Sequence, residues 1–184
     1  MENQNQYNLP ITDQQESAQK FKEFCMKGDL ETCKKLYDIF LSDKNCDFFY
    51  DCFYSAISGG HINIGQWLHD KFDIILKNDD LENCLYFACV YEDLEQARWL
   101  YFTFGKCENM YELLYPAYKY NNDISKKVVC FLFRECGLDQ NDIKKCSKRG
   151  SGSKFFSPEE EKHLIQIYNE CFPIGSMTKP VKIK

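Results

Sequence analysis

Three histidines, eleven cysteines and one glycine-serine-lysine run are the residues of this 184-residue chain whose types could do chemistry. His61 and His69 stand eight residues apart. On a helix that is about 12 Å at 1.5 Å per residue, too far to share a metal ion. His163 reads as part of a solvated helix face. The cysteines are odd in number and irregularly spaced, and no Cys-x-x-Cys occurs. The nearest pairs, Cys46/Cys52, Cys84/Cys89 and Cys130/Cys136, have no matching His pair. A tetrahedral zinc site needs close ligand pairs. The cysteines therefore read as small core residues in a reducing compartment. Gly150-Ser151-Gly152-Ser153-Lys154 has phosphate-loop composition but lacks the Gly-x-x-x-x-Gly-Lys-Ser/Thr spacing and a preceding strand, so it reads as a linker. Neither Gly-x-Ser-x-Gly nor His-Glu-x-x-His occurs. Acid pairs such as Asp79-Asp80 read as loop charges. The expectation is a non-enzymatic protein with no catalytic, cofactor-binding or metal-binding residues.

Two further groups suggest nucleic acid. Trp67 and Trp99 could stack on bases, but each precedes a leucine at the same place in a repeat, which marks a buried face. Lys144, Lys145, Lys148 and Arg149 could contact phosphates, yet such a short basic run is usually solvated.

The elements that position these residues are helices, and they repeat. The pairs Tyr54/Tyr86, Ala56/Ala88, Ile62/Leu94, Trp67/Trp99 and Leu68/Leu100 are all 32 residues apart. A period of this length is the signature of stacked supersecondary units. Apolar residues at i, i+3, i+4 predict a first helix from Glu16, carrying Ala18, Phe21, Phe24 and Cys25. Gly28-Asp29 breaks it, and Leu30, Cys33, Leu36, Tyr37 and Phe40 form a second stripe. Further pairs are expected at Asp47–Ser58 with Ile62–Phe72, Leu81–Tyr91 with Leu94–Phe104, and Tyr111–Tyr120 with Ile124–Cys136. The last is degenerate: Ala117 follows Ala88 by only 29 residues. Beyond Gly137, Asp139–Ser147 predicts one short helix. Ser157 as N-cap, Pro158 at N1 and Glu159, Glu160 and Glu161 in the first turn predict another. Its apolar face is Leu164, Ile167, Tyr168 and Cys171, and Pro173 ends it.

The expected organisation is a flexible tail (1–15), a repeat array (16–137, with repeats near 16–44, 45–77, 78–106 and 107–137), a C-terminal helical cap (138–172, with a linker at 148–156) and a basic tail (173–184). Residues 1–138 hold 14 Lys+Arg against 22 Asp+Glu, and residues 139–184 hold 9 against 6, so the acidic charge lies in the repeats. The longest apolar run, Val128–Phe133, is far short of a membrane span, and the polar N-terminus lacks a signal-peptide core. These features lead us to expect an intracellular, cytoplasmic protein off the membrane.

The repeat resembles the ankyrin repeat, over about residues 17–137. The family's Ala-Ala slot reads Ala56-Ile57, Ala88-Cys89 and Ala117-Tyr118. Its Gly-His slot reads Gly28-Asp29, Gly60-His61, Glu92-Asp93 and Asn121-Asn122, and its later hydrophobic pair reads Trp67-Leu68 and Trp99-Leu100. The Ala-Cys…Leu-Glu-x-Ala-x-Trp-Leu wording is similar to the divergent arrays of large DNA viruses and some intracellular bacteria. The Thr-Pro-Leu-His slot departs from the family, reading Asp51-Cys52-Phe53-Tyr54, Asn83-Cys84-Leu85-Tyr86 and Glu112-Leu113-Leu114-Tyr115. Asp51 and Asn83 are candidate helix caps. The resemblance implies an all-α, ankyrin-like helix-turn-helix solenoid of about four repeats with extra C-terminal helices. It also implies that His61 bonds backbone in its turn.

By the same resemblance, the function is protein–protein interaction through loop tips and the concave face, by a monomer that could act on host proteins as a viral effector. Carried over slot by slot, the partner-binding residues are Asp47, Phe48, Tyr50 and Ser58; Asp79, Asp80, Glu82, Val90 and Tyr91; and Glu108, Asn109, Tyr111, Lys119 and Tyr120. Tyrosine is favoured at interfaces, and the acids imply a protein partner with basic and apolar character. Two alternatives are an adaptor that recruits a ubiquitin ligase through residues Pro158 to Phe172, and a nucleic-acid binder acting through the basic tail. A structural component that self-associates is a third.

Overall fold

The computed structural model describes residues 11–41, 45–120, 126–148 and 156–173, and among them every regular element is helical. Ten α-helices are described: α1 (Ile11–Lys27), α2 (Leu30–Leu36, continuing into a π-helical turn at Tyr37–Leu41), α3 (Cys46–Ser58), α4 (Ile62–Phe72), α5 (Asn78–Val90), α6 (Leu94–Phe104), α7 (Leu114–Lys119, entered through a 3-10 turn at Met110–Leu113), α8 (Lys126–Arg134), α9 (Gln140–Lys148) and α10 (Pro158–Cys171). The chain divides into two compact units, Met1–Ile75 and Leu76–Lys184.

The 32-residue period is a period in backbone geometry. Helices α3 and α5 both have 13 residues, α4 and α6 both have 11, and each pair starts 32 positions apart. The turns inside the first three helix pairs use the same two bonds. Asp29 N–H donates to Phe24 O (3.1 Å) and Gly28 N–H to Cys25 O (3.4 Å). His61 and Gly60 repeat this to Ala56 O and Ile57 O (2.9 and 3.1 Å), and Asp93 and Glu92 repeat it to Ala88 O and Cys89 O (2.9 and 3.4 Å). This is the Schellman arrangement, which satisfies the last carbonyls of a helix and needs one left-handed residue. That residue is Gly28 (φ 84°), Gly60 (φ 79°) or Glu92 (φ 58°). The following residue is the N-cap of the next helix, and two of the three bond through the side chain, whereas His61 does not. Asp29 accepts from Thr32 N–H at 3.0 Å and Asp93 from Gln96 N–H at 2.8 Å.

Small residues let the two helices of a pair close up. In α4, a Cβ placed on Gly65 would lie 2.5 Å from Ile57 Cδ1. The equivalent partners one repeat earlier are Cys25 and Cys33, with Sγ atoms 3.6 Å apart, and one repeat later they are Cys89 and Ala97. A large side chain thus faces none, while elsewhere two small ones face each other. Combined volume is conserved rather than identity, as dense packing requires.

In the first unit, α3 packs between α1 and α4. Phe21, Cys33, Phe53, Ala56, Ile64 and Leu68 are fully buried. Trp67 joins this core, its ring centroid 6.3 Å from Phe21 and 6.1 Å from Tyr37, and Phe49 stacks on Phe72 at 3.8 Å. In the second unit, α5 packs on α6 and α7, α8 lies against α6 and α7, and α10 covers α8 and α9. Leu85, Leu100, Leu113, Val129, Leu132, Phe133 and Ile143 fill its centre. Burial of Leu164 and Ile167 anchors α10, each contributing about 2 kcal/mol.

Several expectations are corrected. Helix α1 begins at Ile11, not Glu16. Asp51 and Asn83 lie inside helices and cap nothing. The caps are Asn45, whose side chain accepts from Phe48 N–H at 3.1 Å, and Lys77, which makes no side-chain cap bond. Asp79 and Asp80, expected in a loop, occupy the first turn of α5. Lys148 ends α9 rather than opening a linker. The capping box at Ser157 is present in full, with Ser157 and Glu160 bonding each other's backbone. The turn at Asn121-Asn122, the Gly150–Lys154 run and residues 1–10 and 174–184 lie outside the described residues.

Candidate functional site

Each histidine bonds a neighbouring group. His61 Nε2–H donates to Met26 O at 2.9 Å, the backbone role its turn position implied. His69 Nδ1–H donates to Ile74 O at 3.1 Å. Exposed His163 pairs through Nδ1 with the Tyr118 hydroxyl at 2.9 Å. None of the cysteines is in a disulfide, and among the described residues no three His, Cys, Asp or Glu side chains cluster to hold a metal ion. Burial pushes the thiols of Cys84 and Cys107 up to about 12 and about 11, and raises those of Cys89 and Cys136 as well. These sulfurs stay protonated at neutral pH and are poor nucleophiles.

The partner-binding residues inferred from the sequence fare differently in the two units. In the first, Asp47 is exposed on the opening turn of α3. Phe48 is half-buried, its ring against Phe21 (5.9 Å) and Phe49 (5.2 Å), so it serves the core. Tyr50 is half-buried, and Ser58 Oγ donates to Tyr54 O at 2.5 Å.

In the second unit they form a joined face. Helix α5 turns Asp79, Glu82, Asn83, Tyr86 and Val90 away from its buried side, at helical spacing. The segment before α7 is tied to this face. Glu108 N–H donates to Asn78 Oδ1 at 2.7 Å, and Asn109 Nδ2–H donates to Glu82 Oε2 at 3.4 Å. At the other end, burial and the neighbouring Tyr120 and Tyr115 side chains raise the Tyr86 phenol. Phe87 stacks on Tyr91 at 6.3 Å, and Tyr91 and Tyr120 are 55% and 57% exposed, large for aromatic side chains. The face therefore grades from acid at the N-terminal end of α5 to aromatic at its C-terminal end. Among the described residues no lysine or arginine forms an ion pair with Asp79, Asp80 or Glu108.

Two members stand apart. Lys119 forms an ion pair with Glu160 of α10 and lies over the Tyr115 ring at 5.8 Å, so α10 occupies it. Tyr111 is half-buried beneath Lys145, whose Nζ is 5.5 Å from the ring and also pairs with Asp142. Tyr86, Phe87, Tyr115 and Asn78 belong to the face but escaped the slot-by-slot reading. The Tyr54/Tyr86 repeat was the signal that could have identified Tyr86.

No protein-family description matches this chain, and neither a curated protein nor a solved structure is significantly similar to it.

Proposed function

We propose that this chain is a non-enzymatic, ankyrin-like repeat protein that binds a protein partner through the acid–tyrosine face of α5 and α7. The ankyrin-like reading is supported by the 32-residue period and by three Schellman turns at the same repeat position. The partner reading rests on the graded face: exposed Asp79 and Glu108 at one end, and Tyr91 and Tyr120, each more than half exposed, at the other. Exposed aromatics anchor interfaces, while surface carboxylates steer and orient a basic ligand. The partner is a segment with lysine or arginine beside apolar side chains.

The adaptor alternative needs the apolar face of α10. Leu164, Ile167 and Cys171 on that face are buried in the second unit, so recruitment would require α10 to detach. For nucleic-acid binding, Lys145 is already paired with Asp142, and Arg149 lies outside the described residues.

The test is titration of the full chain with fluorescent peptides that vary independently in basic and aromatic content. Asp79→Lys/Asp80→Lys/Glu82→Lys should weaken a basic–aromatic peptide by at least about tenfold, and Tyr91→Ala/Tyr120→Ala should do so at any salt concentration. Equal binding by the wild type and both variants would show that this face is not the binding site.

A further inference from the structure

We propose that Cys130 and Cys171 are a thiol pair that a peroxide converts to a disulfide, stapling α10 onto α8. Their Sγ atoms are 2.8 Å apart across two helices that are 41 positions distant in sequence. The contrast with Cys25 and Cys33 is informative. Those sulfurs pack at 3.6 Å and are fully buried, where an oxidant has no access. Cys130 is half-buried, and Cys171 is 6% exposed at the last turn of α10.

Both sulfurs are held in place. Arg134 Nε–H donates to Cys171 O at 3.3 Å, fixing the end of α10. Tyr168, one turn before Cys171, packs edge-on against Phe133 of α8 at 5.2 Å and against Phe172 at 5.0 Å. Burial pushes the Cys171 thiol up to about 12, with Arg134 opposing in part. The more exposed Cys130 reacts first, since access to the oxidant governs thiol oxidation.

The chemistry balances with hydrogen peroxide as oxidant. The Cys130 sulfur attacks one peroxide oxygen; an S–O bond forms, the O–O bond breaks, and the departing hydroxide takes the thiol proton as water. The Cys171 sulfur then attacks the sulfenic sulfur; an S–S bond forms, the S–O bond breaks, and the hydroxyl leaves with the Cys171 proton as a second water. Two thiols are oxidised and one peroxide is reduced. Closing a loop of this length restrains the unfolded chain, so the oxidised form is the more stable.

The experiment treats the full chain with hydrogen peroxide, blocks remaining thiols under denaturing conditions, and maps the peptides by mass spectrometry. The expected result is one cross-linked Cys130–Cys171 peptide, nine blocked cysteines of the eleven in the chain, and a Tm increase of roughly 10 °C that dithiothreitol reverses. Cys130→Ala and Cys171→Ala should lose both the cross-link and the increase. If either variant fails to fold, the wild-type peptide map and its reversal decide alone. Oxidation without this cross-link, a different dominant pairing, or a cross-link that leaves Tm unchanged would overturn the proposal.

Discussion

The imidazole of His61 reaches back 35 residues to donate from Nε2 to the carbonyl of Met26 at 2.9 Å, tying the second helix pair to the end of α1. The same ring fills the space that a side chain on Gly28 would need. A Cβ there would lie 2.6 Å from Nδ1, and one on Gly59 would lie 2.8 Å from Met26 O and 2.9 Å from His61 Cδ2. His61 and the Met26 carbonyl it bonds thus crowd both glycines.

This arrangement separates two glycines that look alike in sequence. Gly28 and Gly60 both have left-handed backbones, but a Cβ on Gly60 meets nothing within 4 Å. Gly60→Ala should cost only backbone strain, roughly 1–2 kcal/mol. Gly28→Ala should cost roughly 3 kcal/mol or more, because His61 must also move. Urea unfolding measures both, and in a double-mutant cycle His61→Ala should remove the excess at Gly28 and leave Gly60→Ala unchanged.

Gly65 faces a different constraint, the Ile57 side chain. Gly65→Ala should destabilise by roughly 1–3 kcal/mol through overpacking, despite alanine's better helix propensity. Ile57→Cys/Gly65→Ala, which reproduces the Cys89/Ala97 pair one repeat on, should recover most of that loss in thermal unfolding. Additive losses would show that volume is not what couples the two positions.

Glu92 is the non-glycine residue at the left-handed turn position between α5 and α6. Glu92→Gly should relieve the strain and raise stability by about 1 kcal/mol, read as a higher urea midpoint. An unchanged midpoint would mean that the glutamate side chain offsets its own backbone cost.

The docking of α10 should respond to acid. The bond from Lys119, joined by the Ser157 N–H, holds the Glu160 carboxyl below its ordinary 4.5. The unfolded chain lacks these partners and takes up the proton first. The stability from this group is complete above pH 4.5 and is lost as pH falls through the lower folded value. Wild type should therefore lose more stability than Glu160→Gln between pH 7 and pH 3. The difference should stay below about 1 kcal/mol, because the pair is partly exposed. Parallel pH profiles would show that the ion pair contributes nothing. Lys119, raised above 10.5 by the same bond, loses its share only in strong alkali.

What the sequence determined by itself was local and repeated. Gly28 and Gly60 specify their turns, because a left-handed φ and the two Schellman bonds are satisfied within about six residues. Ser157, Pro158 and Glu160 specify the start of α10 for the same reason. Where the local code was weak, the reading slipped. Lys77 offers no cap, so the start of α5 at Asn78 was hidden and Asp79 was assigned to a loop. Tertiary structure alone decided the rest. The placement of α10, the Lys119–Glu160 pair and the meeting of Cys130 with Cys171 join residues 41 positions apart. Such contacts follow from how buried faces fill space together, which no short stretch of sequence encodes.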